Sequence, residues 1–112
     1  MSGIRNLLAQ KPYHKARLDI VANPITTAAW VQVLASTPKA CTALMVSYTG
    51  ESILKVSTGA TADEDNHIMD FYIAPGMDQV MIPVEIAKGK KLSVEALDQN
   101  TALGELVMNF FG

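Results

Sequence analysis

The chain has 112 residues, of which 49% are hydrophobic and 18% are charged, and its net charge is −2. This length predicts one domain with one core, and the hydrophobic content excludes an intrinsically disordered protein. The single cysteine excludes a disulfide-stapled scaffold. No apolar run is long enough for a membrane-spanning helix, and residues 1–10 lack the apolar core of a signal peptide, so we expect a soluble protein made in a cytoplasm.

The basic side chains are concentrated at the start of the chain. Residues 1–17 have four bases and no acid, a charge of +4, whereas the other 95 residues have five bases and all eleven acids, a charge of −6. We predict an extended basic arm over residues 1–15, which is either a solvated terminus or reaches an acidic partner. Without an arginine cluster, and on an acidic body, the arm is not expected to bind nucleic acid. Its candidate partner-binding residues are four bases and two apolar anchors: Arg5, Leu8, Lys11, Tyr13, Lys15 and Arg17.

From residue 16 onward, apolar and polar residues alternate with a period of two, which indicates half-buried β-strands. Eight strands are predicted, at residues 16–22, 26–35, 41–48, 52–57, 67–73, 79–86, 91–97 and 104–111. Residues 49–51 are expected to close a short hairpin, and the last four strands to form one side of a sandwich.

This pattern predicts an all-β fold, a single antiparallel β-sandwich over residues 16–112, with jelly-roll or immunoglobulin-like topology. Leu18 and Ile20 should face inward. Pro83 falls inside the sixth predicted strand, where it cannot donate a hydrogen bond to a neighbour. That strand should therefore lie at a sheet edge or be bent at a bulge.

The sequence contains no recognisable catalytic, cofactor or metal motif. His14 and His67 are not near a nucleophile motif, and no glycine-rich phosphate-binding pattern occurs. One cysteine with two distant histidines does not supply a zinc site, and Asp63–Asp65 are consecutive acids without the glycine of a calcium loop. Cys41 is expected to be a buried small hydrophobe. We therefore expect no enzyme activity, no cofactor and no metal.

Three aromatic residues raise the alternative of a carbohydrate-binding module. Trp30, Tyr48 and Tyr72 could form a platform on which sugar rings stack, because aromatic faces offer apolar area beside polar groups. The competing interpretation is that Trp30 belongs to the core and that the two tyrosines lie at strand ends.

The sequence from Tyr72 to Gly112 contains IAPGM, MIPVEI, KGKKLSVEA and GELVMNFFG, and earlier segments are PITTAAWVQVLAST and SILKVSTGA. Together these resemble a pattern common among small structural proteins of tailed phages. The size of the chain and its basic N-terminal arm most resemble the small decoration, or staple, proteins on the capsids of short-tailed phages. The resemblance covers most of residues 24–112, and the chain departs from it at residues 63–66 and in the long basic arm.

The resemblance implies a β-sandwich or jelly-roll body on the outside of an icosahedral shell, present as a dimer, that staples neighbouring major capsid proteins. It implies location on the virion after synthesis in a host cytoplasm, and it carries no catalytic residues. A carbohydrate-binding module, or a tail or fibre component of the particle, is the alternative.

Overall fold

The computed structural model describes residues 11–58 and 71–112. Eight strands occur there: β1 (His14–Asp19), β2 (Val31–Leu34), β3 (Cys41–Tyr48), β4 (Leu54–Ser57), β5 (Phe71–Ile73), β6 (Val80–Ile86), β7 (Leu92–Ala96) and β8 (Glu105–Phe111). This part of the chain contains no helix, and hence none that is long and apolar enough to cross a membrane. The predicted all-β class and strand number are confirmed. β1 begins at His14, so the first sheet already includes the last two residues of the predicted arm.

The strands form two four-stranded antiparallel sheets, with the orders β1-β8-β3-β6 and β2-β7-β4-β5. In these sheets the first strand pairs with the last, the second with the seventh, the third with the sixth and the fourth with the fifth. This is the connectivity of a long antiparallel hairpin wound into two layers, and β3–β8 and β4–β7 pairs complete the sheets. The sandwich therefore has jelly-roll topology.

Alternate side chains of both sheets point inward and form one core. In β8, Leu106, Met108 and Phe110 are fully buried, while the residues between them line the other face. Leu18 and Ile20 face inward as the sequence predicts. Burial of these aliphatic and aromatic side chains, each contributing about 1.5–3 kcal/mol, holds the two layers together. The remaining core members include Ile25, Leu44, Val46, Leu54, Val56, Ile73, Leu92 and Val94.

Two predictions about the arrangement of the strands are wrong. The last four strands do not form one side of the sandwich, because β5 and β7 belong to one sheet and β6 and β8 to the other. Residues 49–51 do not close a hairpin, because they carry the chain from β3 in one sheet to β4 in the other. Alternation of apolar and polar residues indicates which side chains face the core, but it does not specify which strand supplies the hydrogen bonds.

Both of the alternatives that were predicted for the strand containing Pro83, a sheet edge and an irregular register, are present. β6 lies at the edge of its sheet, and the register with β3 shifts between Cys41 and Ala43, directly opposite the segment that contains Pro83. An edge strand interrupted in this way is a poor template for another chain.

Candidate functional site

Lysines and acidic residues are concentrated at opposite ends of the sandwich. At the end where β1 begins, which we call the arm end, lie the connections 35–40 and 87–91. Six of the seven lysines of the chain belong to this end: Lys11, Lys15, Lys39, Lys88, Lys90 and Lys91. The connections at the opposite end, with the strand residues beside them, carry acids instead: Asp19, Glu51, Asp78, Asp98 and Glu105. Among the described residues, the acid near the arm end is Glu85.

A buried threonine holds the two lysine-bearing connections together. The Thr37 hydroxyl donates to the carbonyl of Ala87 at 2.7 Å and accepts from the N–H of Lys90 at 3.0 Å. The Thr37 backbone adds a bond from its N–H to the Lys90 carbonyl and one from the Gly89 N–H to its own carbonyl, both at 2.9 Å. Gly89 has φ of 84°, a left-handed conformation that glycine adopts without strain. These hydrogen bonds therefore fix the backbone of both connections, from which the lysine side chains project.

Tyr13 fixes the point at which the arm leaves the sandwich. Its N–H donates to the Phe110 carbonyl and its hydroxyl to the Lys39 carbonyl, each at 2.9 Å. The Lys39 ammonium lies 4.7 Å from the centre of the Tyr13 ring, which is a cation–π geometry. Desolvation, and then the neighbouring Cys41 thiol, raise the pKa of Tyr13 to about 12.

The predicted arm residues are not equivalent in the structure. Lys11 and Lys15 are exposed at the arm end, and Tyr13 anchors the arm. Arg17 forms an exposed ion pair with Glu105, which raises the pKa of the guanidinium, so its charge is locally balanced. Arg5 and Leu8 lie outside the described residues, as do the acids Asp63–Asp65 and His67.

Reasoning from the sequence did not predict that four further lysines lie at the same end as the basic arm: Lys39, Lys88, Lys90 and Lys91. These residues were counted with the acidic body, since 28 to 80 positions separate them from Lys11. The available signal was the lysine-rich turn around Gly89, but nothing local links that turn to the arm. Only the winding of the sandwich places them at one end.

The outer face of the β2-β7-β4-β5 sheet has a second cluster, a polar row flanked by aromatics. Lys55 pairs in register with Glu95 on one side and with Tyr72 on the other. Val31 pairs with Val94, so Trp30, just before β2, lies beside Glu95. We call the set Trp30, Glu95, Lys55 and Tyr72 the outer-face row.

This arrangement corrects the predicted aromatic platform. Tyr48 is fully buried, and its hydroxyl donates to the Ser52 carbonyl at 2.5 Å, so it cannot stack with a ligand. Burial raises the pKa of its phenol. Trp30 is half-buried rather than part of the core, whereas Tyr72 is 56% exposed.

Cys41 is a buried thiol, as predicted, with a pKa raised by desolvation. It donates to the Ala43 carbonyl at 3.1 Å. His14 packs against Phe110 with ring centres 5.7 Å apart. Within residues 11–58 and 71–112, no group of three His, Cys, Asp or Glu side chains is placed to hold a metal ion.

Comparison with family models, with curated proteins and with solved structures gave no significant match.

Proposed function

We propose that this chain is a structural virion protein that binds the outside of a phage capsid and staples neighbouring major coat subunits. The proposal begins from the sequence resemblance to capsid staple proteins. The observation that supports it best is the concentration of six lysines around the exit of the basic arm. The arm would form one docking surface for acidic coat protein together with the connections 35–40 and 87–91, which Thr37 holds together and which we call the clasped connections. A dimer would present two such surfaces.

Single exposed lysines bind weakly, because a surface ion pair contributes only about 0–1 kcal/mol. Several lysines on a rigid base lose less conformational freedom on binding than the same number on a flexible tail. A dimer that engages two coat subunits at once gains further through its high effective concentration. Modest contacts of this kind are sufficient for stable attachment to a repeating shell, and they need no catalytic group.

The proposal is tested by quantifying the chain on purified particles of the phage that encodes it. We expect co-purification at a fixed copy number relative to the coat protein. Added protein should rebind to particles stripped of it, and this binding should weaken as salt shortens the screening length from about 10 Å at 0.1 M to about 3 Å at 1 M.

Charge reversal at the two ends supplies a matched comparison. Lys39→Glu with Lys88→Glu should strongly reduce capsid occupancy, whereas Glu51→Lys with Asp78→Lys at the opposite end should retain it. All four side chains are exposed, so neither pair should unfold the sandwich. Absence of the chain from particles, or equal occupancy for both pairs, would contradict the proposal.

A second comparison addresses the arm itself. A chain that begins at Lys11 keeps β1 and the Tyr13 contacts intact. If residues 1–10 reach the coat, this chain should bind particles more weakly than the full chain and fold equally well. Unchanged occupancy would restrict the docking surface to the clasped connections.

A further inference from the structure

The sandwich has four edge strands, and three of them are poorly suited to pairing with another chain. β6 contains Pro83 and an irregular register, β5 has three residues, and β2 has four residues with a register shift between Gln32 and Leu34. β1 differs, because its six residues pair with β8 in one unbroken register and include no proline. Within the part of the chain that the structure describes, β1 is therefore the edge that offers a regular template for hydrogen bonding.

The main-chain groups that point away from β8 can be assigned from the bonds at the end of β1. The Ile20 N–H donates to the Gly104 carbonyl at 3.1 Å, and these two residues continue the register of β1 with β8. Hydrogen-bonded and non-hydrogen-bonded pairs alternate along an antiparallel ladder, so the even-numbered residues of β1 bond to β8. The main-chain groups that point to the free edge are those of the odd-numbered residues: Lys15, Arg17 and Asp19.

Most of these edge groups lack a partner. The Asp19 carbonyl accepts from the Asn23 N–H at 2.9 Å, in the turn that follows β1. Among the described residues, nothing bonds to the Asp19 N–H or to the main-chain groups of Lys15 and Arg17 on this side. The side chains of these three residues are exposed, whereas the residues between them are buried in the core. The strand thus presents open donors and acceptors along one side.

We propose that β1 pairs antiparallel with β1 of a second copy of this chain, which joins the two β1-β8-β3-β6 sheets into one continuous sheet. The twofold axis passes beside Arg17, so each Arg17 lies opposite its counterpart and each Lys15 lies opposite Asp19 of the other copy. The two Arg17 residues exchange main-chain hydrogen bonds, and each Asp19 N–H donates to the Lys15 carbonyl of the other copy. This register keeps the exposed side chains on one face and the core-facing side chains on the other.

The charges on β1 select this register. Directly opposite residues on one face attract when their charges are opposite and repel when they are alike. A slip that sets Lys15 against Arg17 or Lys15 of the other copy opposes like charges, whereas the proposed register sets it against Asp19. The two Arg17 residues meet at the axis, but each guanidinium is already paired with Glu105 of its own chain. The outer face of the interface therefore carries as many acids as bases, and the charged edge disfavours other registers rather than all pairing.

This dimer directs its two arms away from each other. Tyr13 lies about 27 Å from its counterpart, since the strand positions between them span about eight residues at about 3.4 Å each. The two arm ends therefore face opposite directions and meet different coat subunits, as stapling requires. This consequence rests on the proposed function, whereas the pairing of β1 does not.

The isolated full-length protein tests the pairing. Its mass by light scattering and by sedimentation should approach twice 12.1 kDa as the concentration rises. Arg17→Pro removes the N–H at the centre of the interface but no bond to β8, so it should raise the dissociation constant of the dimer about tenfold or more. Arg17→Ala is the matched control, because it loses the same guanidinium and keeps the N–H, and it should remain dimeric.

Cysteine substitutions test the register and do not depend on a folded proline variant. Arg17→Cys places two thiols on directly opposite residues, with Cα atoms about 5.5 Å apart, within the range that a disulfide spans. Lys15→Cys places the two Cα atoms about 14 Å apart, which is outside that range. With oxidised glutathione, Arg17→Cys should form a covalent dimer and Lys15→Cys should not. Cys41, which is 1% exposed, should stay reduced in both variants.

A full-length protein that is monomeric at every concentration would overturn the inference. Equal dimerisation of folded Arg17→Pro and Arg17→Ala would do the same, because another surface would then join the copies. Equal cross-linking of the two cysteine variants would exclude the register, and it decides the matter if Arg17→Pro does not fold. A monomer that still occupies particles would overturn this interface alone, and a dimer that is absent from particles would overturn the capsid proposal alone.

Discussion

The hydroxyl of Tyr48 provides a sharp test of how the two sheets are joined. Tyr48 ends β3, and its ring folds back over Gly50, where an added Cβ would lie 2.3 Å from the Tyr48 oxygen. The hydroxyl donates to the carbonyl of Ser52, which is itself buried. The tyrosine thereby shapes the connection 49–53 through which the chain changes sheets. Tyr48→Phe removes the hydroxyl and keeps the ring.

The expected loss follows from the burial of both partners. Leaving a buried carbonyl without its donor costs about 1–3 kcal/mol, and we expect a value in the lower half of that range because the small space left by the hydroxyl can partly relax. Unfolding entropy of about 2.1 cal/mol/K per residue gives about 0.24 kcal/mol/K for this chain, so a loss of 1–2 kcal/mol lowers Tm by about 4–8 °C.

The assay is calorimetric unfolding, with urea denaturation as a second measure of the free energy. Tyr72→Phe is the control, because its hydroxyl belongs to a side chain that is 56% exposed and its removal should change stability by less than about 0.5 kcal/mol. If Tyr48→Phe melts within 1 °C of the parent, the buried bond does not stabilise the connection and the reasoning is refuted.

Three further predictions concern other parts of the sandwich. Gly104→Ala should lower stability by about 1–3 kcal/mol, because Gly104 has φ of 101° and an added Cβ would lie 2.6 Å from the Thr49 carbonyl oxygen; a melting temperature equal to the parent's would contradict this. The Cys41 thiol, 1% exposed and with a raised pKa, should react with a thiol reagent at pH 8 far more slowly in native protein than in urea, and equal rates would exclude a protected thiol. Because folding raises the pKa of Tyr13 from 10.0 to about 12, its stabilising contribution is complete below pH 10 and is lost as the pH rises toward 12. Between pH 9 and pH 11, the urea midpoint of unfolding should therefore decrease more for the parent than for Tyr13→Phe. Equal decreases would show that ionisation of this phenol is not linked to folding.

Local sequence was sufficient to predict several features of the fold. A period of two over residues 104–111 predicted a strand with Leu106, Met108 and Phe110 inward, and these side chains are fully buried. The chemistry of Pro83 alone placed β6 at an edge or a bulge, and both are present. Such predictions succeed because the side-chain alternation of a strand and the missing N–H of proline are properties of a few consecutive residues.

Tertiary structure alone decided which strands pair, which residues gather at the arm end and what each aromatic does. Strand pairing depends on closing long loops, so β5 to β8 divide between two sheets although their patterns are alike. Tyr48 and Tyr72 occupy similar strand patterns, yet one is fully buried and the other is exposed. Lys39 and Lys88 come together only through the bonds of Thr37, and Trp30, Glu95, Lys55 and Tyr72 only through register across four strands. The sequence by itself determined which side chains face the core, while the winding of the chain determined the surfaces on which it can act.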